Sequence, residues 1–244
     1  MAEFQSHETA FDPLNSTQIP EKVNVVEWIN MYNSRSPCLL SANDKLIKCW
    51  KIENKKEKKV ESCKKLFEKT KGKLVMPRTK IINENMEGVC KSYYKGAHEF
   101  HINSLSLNSD GENFLSSDDL RINIWSLNDP TTVYNVLDVK PKSLTDIEEA
   151  ITHSEFHPHL SHLFHYTTSK GYLNICDFRE KAMFHSGASL KFEIGNVTKK
   201  NAFSDIINCV SKAKFLGNSE HTIATRDYLS VKLWDIRSTT QKYY

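Results

Sequence analysis

The chain has 244 residues, 39% of them hydrophobic and 26% charged, with a formal net charge of +3. That length buries a sizeable core, and 10% aromatic residues exclude a disordered chain. No apolar run approaches the ~20 residues of a bilayer span, and residues 1–15 lack the basic start and apolar run of a secretory signal, so neither membrane nor export is expected.

In chain order, the first element is an apolar run at residues 38–42, then a turn and Asn43-Asp44-Lys45-Leu46-Ile47-Lys48-Cys49-Trp50. Residues 51–80 follow with 12 Lys/Arg against 4 Asp/Glu, and 51–95 read as a basic hairpin insertion. A lysine-rich hairpin keeps exposed edge strands from aggregating. Residues 51–80 would also carry phosphate affinity, but with Phe67 as their one aromatic residue they offer no stacking platform, which disfavours nucleic acid. Residues 64–69 are read as one helical turn.

The second element joins residues 113–116 to Asp118-Asp119-Leu120-Arg121-Ile122-Asn123-Ile124-Trp125. Ile122 and Ile124 alternate with Arg121 and Asn123, the period of a half-buried strand. Adjacent acids on a strand point to opposite faces and make poor partners for shared proton chemistry. One is expected to hold the turn by bonding backbone N–H groups, leaving the other free for solvent or a ligand. Residues 110–150 hold 9 Asp/Glu against 3 Lys/Arg, a field opposite to that of 51–80. Within them, 142–151 read as a short helix with Ser143 as cap.

Five histidines follow (His153, His157, His159, His162, His165). A metal site is conceivable there, but His157-Pro158-His159 reads as a turn and no carboxylate pair frames it. The third element joins residues 163–168 to Lys170-Gly171-Tyr172-Leu173-Asn174-Ile175-Cys176-Asp177. The fourth joins 222–225 to Arg226-Asp227-Tyr228-Leu229-Ser230-Val231-Lys232-Leu233-Trp234-Asp235, where Val231 and Leu233 alternate with Ser230 and Lys232.

Repeated strand groups with a Trp–Asp-like end are the signature of WD-repeat propeller blades, whose usual period is about 40–45 residues. Positions 50, 125, 176 and 234 lie 75, 51 and 58 residues apart, so the blades carry insertions. The fold expected is all-β, one partial propeller over 1–244, with repeats ending near Trp50, Trp125, Asp177 and Trp234. The six cysteines form no C-x-x-C pair and are expected as free thiols in a reducing compartment. No nucleotide, dinucleotide or nucleophile-elbow motif is present, so the chain is expected not to be an enzyme and to need neither cofactor nor metal.

Seven segments together resemble the WD-repeat, 55 kDa B-type regulatory subunits of protein phosphatase 2A. They are Phe4-Gln5-Ser6-His7-Glu8, residues 41–48, residues 97–104, Ser117 to Trp125, Asp138-Val139-Lys140-Pro141, Glu155-Phe156-His157-Pro158 and Thr225 to Asp235. The resemblance implies a seven-bladed propeller, of which about four blades are present, truncated at both ends. It implies binding to the phosphatase scaffold subunit through a protruding hairpin and the bottom face. The top face receives phosphoserine and phosphothreonine proteins beside the catalytic subunit, in the cytoplasm or also the nucleus. By position it assigns substrate contact to Asp119, to Ile147 and to the pair Glu21 and Lys22. The acidic stretch would favour substrates with Lys or Arg near the phosphosite, and Ile147 would add an apolar anchor, or else be a core residue of the short helix. The alternatives are a generic WD-repeat scaffold without phosphatase binding and a non-functional truncated copy.

Overall fold

A computed structural model describes residues 3–7, 22–29, 36–60, 79–179, 190–193, 204–217 and 220–238. The described residues form an arc of four antiparallel sheets, the blades of a β-propeller. Blade one contains β1 (Val25–Ile29), β2 (Cys38–Ala42), β3 (Ile47–Val60) and β4 (Thr79–Tyr94) in spatial order β1-β2-β3-β4. Blade two is β5 (Ser104–Leu107), β6 (Asn113–Ser117), β7 (Arg121–Ser126) and β8 (Val133–Asp138). Blade three is β9 (Ile151–Phe156), β10 (Leu163–Thr168), β11 (Tyr172–Asp177) and β12 (Leu190–Glu193). Blade four has three described strands, β13 (Lys212–Phe215), β14 (Thr222–Arg226) and β15 (Val231–Asp235), preceded by a single helical turn, α1 (Ser204–Asn208). Each pair of strands flanking a Trp-type position falls where the alternation placed it.

The core is a stack of slabs between blades. Leu40, Cys49, Tyr94, Leu105, Phe114 and Trp125 lie between blades one and two. Leu115, Ile122, Val136, Phe156, Phe164 and Cys176 lie between two and three. Leu173, Phe192, Ala213, Phe215, Ile223 and Trp234 lie between three and four. This corrects the expectation of half-buried strands. In blades one to three the middle strands are covered on both faces, so β2 is buried at all five positions and Asn123, the supposed solvent residue of β7, is buried with its amide on His98 and Asn135. Sheets stacked face to face bury both pleat surfaces.

The fourth repeat is corrected too. Val231 is 63% exposed, while Lys232 is buried and pairs with Asp227 at 3.0 Å. The face carrying Lys232 and Trp234 packs on blade three, and no described residue covers the face carrying Val231. The helix expected at 142–151 shrinks to one 3-10 turn, Leu144–Asp146, capped by Ser143 as expected. Extended backbone at Ile147 ends it, and β9 claims Ile151. The helical turn expected at 64–69 lies outside the described residues.

The far face of blade one is covered over Leu39, Trp50 and Ile52 by the segment Glu3–His7, while Val26 and Trp28 on the same face stay exposed. Phe4 packs on Trp50 at 4.8 Å between ring centroids and over Gly88, where an added Cβ would lie 2.6 Å from the ring. Ser6 meets the Ser41 hydroxyl at 2.6 Å, and Lys48 donates to the Ser6 carbonyl at 3.0 Å. Phe4→Ala is expected to destabilise by about 1–2 kcal/mol, below the usual range for phenylalanine truncation because the ring is only half-buried. A urea midpoint unchanged from the parent would refute the closure.

Candidate functional site

The Asp118–Asp119 turn shows how one short sequence divides its work. Asp118 Oδ1 accepts from Leu120 N–H at 2.8 Å and Arg121 N–H at 2.7 Å, and Oδ2 meets His98 Nδ1 at 2.8 Å. His98 Nε2 meets Ser116 Oγ at 2.6 Å, which in turn accepts from Trp125 Nε1 at 2.8 Å. A buried chain of polar groups thus runs from the turn to the inter-blade slab, every member partnered. Burial pushes the Asp118 carboxyl up, but His98 and the two N–H groups outweigh it and hold the group below its usual range.

Part of the chain recurs in two other blades. Trp50 Nε1 donates to Ser41 Oγ at 2.9 Å and Trp234 Nε1 to Thr225 Oγ1 at 2.8 Å, in each case nine residues back. In blade three Cys176 takes the tryptophan position.

Asp119 has the opposite character. It is half-buried at the turn, and burial, then the neighbouring Asp118 charge, push its carboxyl above the ordinary value against His101 and a hydrogen bond from Asn103. Its carbonyl accepts the Ile151 N–H at 2.7 Å, which pins the start of β9. Because Arg121 pairs with Asp138, the loop from β8 to β9 also begins beside this turn, and Ile147 stands in that loop, 39% exposed. Asp119 and Ile147 therefore share one end of the propeller, and Ile147 is not a helix core residue. Lys22 is exposed at the same end, lining a cavity of about 570 Å3 with Asp44, His101 and Asn103. Glu21 lies outside the described residues.

A second cavity at this end, about 750 Å3, opens between blades three and four beside Glu148, Lys170, Ile206, Arg226 and Tyr228. The sequence pattern did not mark it. Its floor comes from α1 and two turns far apart in the chain, and only the exposed aromatic in the turn, Tyr228, hinted at it.

The acidic stretch 110–150 is not one patch. Asp110 and Asp129 cap turns at the opposite end, Asp129 with its carboxyl held down to about 2 by hydrogen bonds from Thr132 and Thr131. Asp138 and Glu99 are bridged by Arg121, with Lys140 also on Glu99. The field is thus split between ends by the up-and-down path of the strands. The basic hairpin also projects from the opposite end, since β3 and β4 run on together past Cys38, where β2 begins. Its strands are exposed beyond Ile52 and carry cross-strand pairs, Lys55–Glu87 at 2.9 Å and Lys56–Glu84 at 3.0 Å. These pairs weaken the phosphate-binding reading of the lysines.

The histidine tract is dispersed. His153 and His165 sit in the blade three–four interface, and His157 Nδ1 accepts from the N–H groups of His159 and Leu160, closing the expected turn. Among the described residues no three His, Cys, Asp or Glu side chains are grouped to hold a metal, and the five described cysteines are free thiols. No described helix is long and apolar enough to cross a membrane.

No protein-family profile matches the chain. Curated relatives do match over nearly all of it. It is 39% identical over 241 residues to the B-type regulatory subunit of protein phosphatase PP2A from Candida tropicalis, covering 96% of this chain and 47% of that protein. To the regulatory subunit sur-6 of serine/threonine-protein phosphatase 2A from Caenorhabditis elegans it is 38% identical over 245 positions, 98% of this chain and 49% of that protein. To the B gamma isoform of the 55 kDa regulatory subunit from Homo sapiens it is 41% identical over 240 residues, 96% of this chain and 53% of that protein. The chain spans about half the length of the curated relatives it matches.

Proposed function

We propose, from the premise that this chain belongs to the 55 kDa, B-type regulatory subunit family of protein phosphatase 2A, that it serves the holoenzyme as a non-catalytic, substrate-recruiting component. The observation that carries this is the division of the molecule into two ends. One end bears the projecting hairpin, a natural lever for a scaffold partner. The other carries Asp119 and the exposed Ile147, with Lys22 lining the cavity of about 570 Å3 at the same end, and the family resemblance adds Glu21 as a substrate contact. A groove with an acid and an exposed aliphatic side chain suits a protein segment with Lys or Arg beside an apolar anchor. We assign the phosphoryl chemistry to the catalytic subunit, because the buried Asp118 and His98 are committed to holding the turn. The cytoplasm, and the nucleus with it, is the compartment this reading implies.

The test is copurification of this chain with the scaffold and catalytic subunits, followed by capture of phosphoprotein substrates. Both subunits are expected to be recovered. Asp119→Arg is expected to keep them while reducing substrate capture at least about tenfold, since like charge placed against a basic segment costs several times a lost contact. Recovery of neither subunit would sink the phosphatase reading. It would favour a WD-repeat scaffold of another kind.

A further inference from the structure

Blade one carries a turn built like that of blade two. Asn43 Oδ1 accepts from Lys45 N–H at 3.2 Å and Leu46 N–H at 3.0 Å, as Asp118 does for Leu120 and Arg121. The next residue, Asp44, gives its carbonyl to the Ile102 N–H at 3.1 Å just ahead of β5, as Asp119 gives its own to Ile151. Asp44 and Asp119 are therefore equivalent positions on neighbouring blades, and their side chains stand on the same end. Between them lie His101, whose Nδ1 meets Asp44 at 2.8 Å, and Asn103, whose amide donates to the Ile151 carbonyl at 2.7 Å beside Asp119. The Asp44 side chain is 14% exposed and that of His101 69%, so the carboxylate is reached from the His101 side, where the 570 Å3 cavity opens.

We propose that Asp44 is a second cation-recognising position of the substrate groove, taking one Lys or Arg of a bound peptide while Asp119 takes another. This rests on the groove reading above. Packed sheets lie about 10 Å apart, and an extended strand advances about 3.3 Å per residue, so the two basic residues stand three apart in an extended segment. His101 covers the Asp44 carboxylate by its 2.8 Å contact and, being exposed, swings aside for the ligand. The repeat supplies the acid, and the insertion-free turn fixes its height beside Asp119.

The experiment uses the whole chain and a fluorescein-labelled ten-residue peptide with two arginines three positions apart, plus the two peptides in which one arginine is glutamine. Anisotropy at low salt reads affinity. Asn24 Nδ2 also donates to Asp44 Oδ1 at 2.9 Å, so Asp44→Asn keeps an oxygen for Asn24 and His101, and a thermal melt checks that it folds. It is expected to weaken the two-arginine peptide about fivefold, the scale of a partly shielded charge pair, and to leave one single-arginine peptide unaffected. Asp119→Asn is expected to show the reciprocal pattern, and Asp44→Glu to retain binding. If Asp119→Asn weakens binding while Asp44→Asn stays within about twofold of the parent, the second position is disproved and the groove stands. If neither variant matters, the groove reading has failed.

Discussion

Replacing Asp118 with alanine is expected to lower folding stability by about 3–4 kcal/mol, the scale of losing one partner of a buried charged pair. Two backbone N–H groups would lose their acceptor, and His98, fully buried, would keep Ser116 but lose its carboxylate. For a domain with a total stability of about 5–15 kcal/mol this is a large share, and the melting temperature should fall by roughly 10 °C. Asp119→Ala, one residue on, is expected to change stability by less than about 0.5 kcal/mol, because its carboxyl is disfavoured by burial and by Asp118. An Asp118→Ala loss below about 1 kcal/mol would show that the His98–Ser116–Trp125 chain is held by packing alone.

A large pH effect is expected at the interface of blades three and four. Glu155 accepts the Phe215 N–H at 3.1 Å, and burial first, then the charge of Glu27, push its carboxyl up to about 7 against Phe215, Lys214 and Lys212. A carboxyl raised in the folded state keeps protons that the unfolded chain has released, so its contribution to stability falls as pH rises from about 4.5 to about 7. Glu27, raised chiefly by burial, acts in the same sense. His153, lowered to about 4 by burial and the two lysines, acts in the opposite sense, and stability rises with pH between about 4 and 6.5. His165, fully buried, His157 and His7 are lowered mainly by burial and reinforce it.

Glu155→Gln separates the two senses. The amide still accepts from Phe215 and carries no charge. At pH 8 the variant is expected to be more stable than the parent by about 2 kcal/mol, less than the full shift implies because Lys212 and Lys214 lose a partner. Near pH 4.5 the advantage should vanish. Denaturant midpoints across this range read the difference, and a variant less stable at pH 8 would mean that Glu155 is ionised and well paired.

How much of this was legible beforehand differs from residue to residue. The strands around Trp125 and Trp234 were legible because a strand repeats its faces every two residues and the turn acids punctuate them. The role of Asp118 followed from turn chemistry, and the curated relatives bear out the family resemblance built on seven short segments. Asn123 and Val231 were misjudged for one reason. Alternation says which side chains share a face, but not what covers that face.

By itself, the sequence determined the strand period, the turns, the repeat and the family, because these rest on residues close together in the chain. Only the tertiary structure decided that both faces of the middle strands in blades one to three are buried, and that the acidic stretch is split between two ends. It also set Asp44 beside Asp119 with His101 between them. Those outcomes depend on stacking blades about 50–75 residues apart in sequence, a spacing that no local pattern encodes.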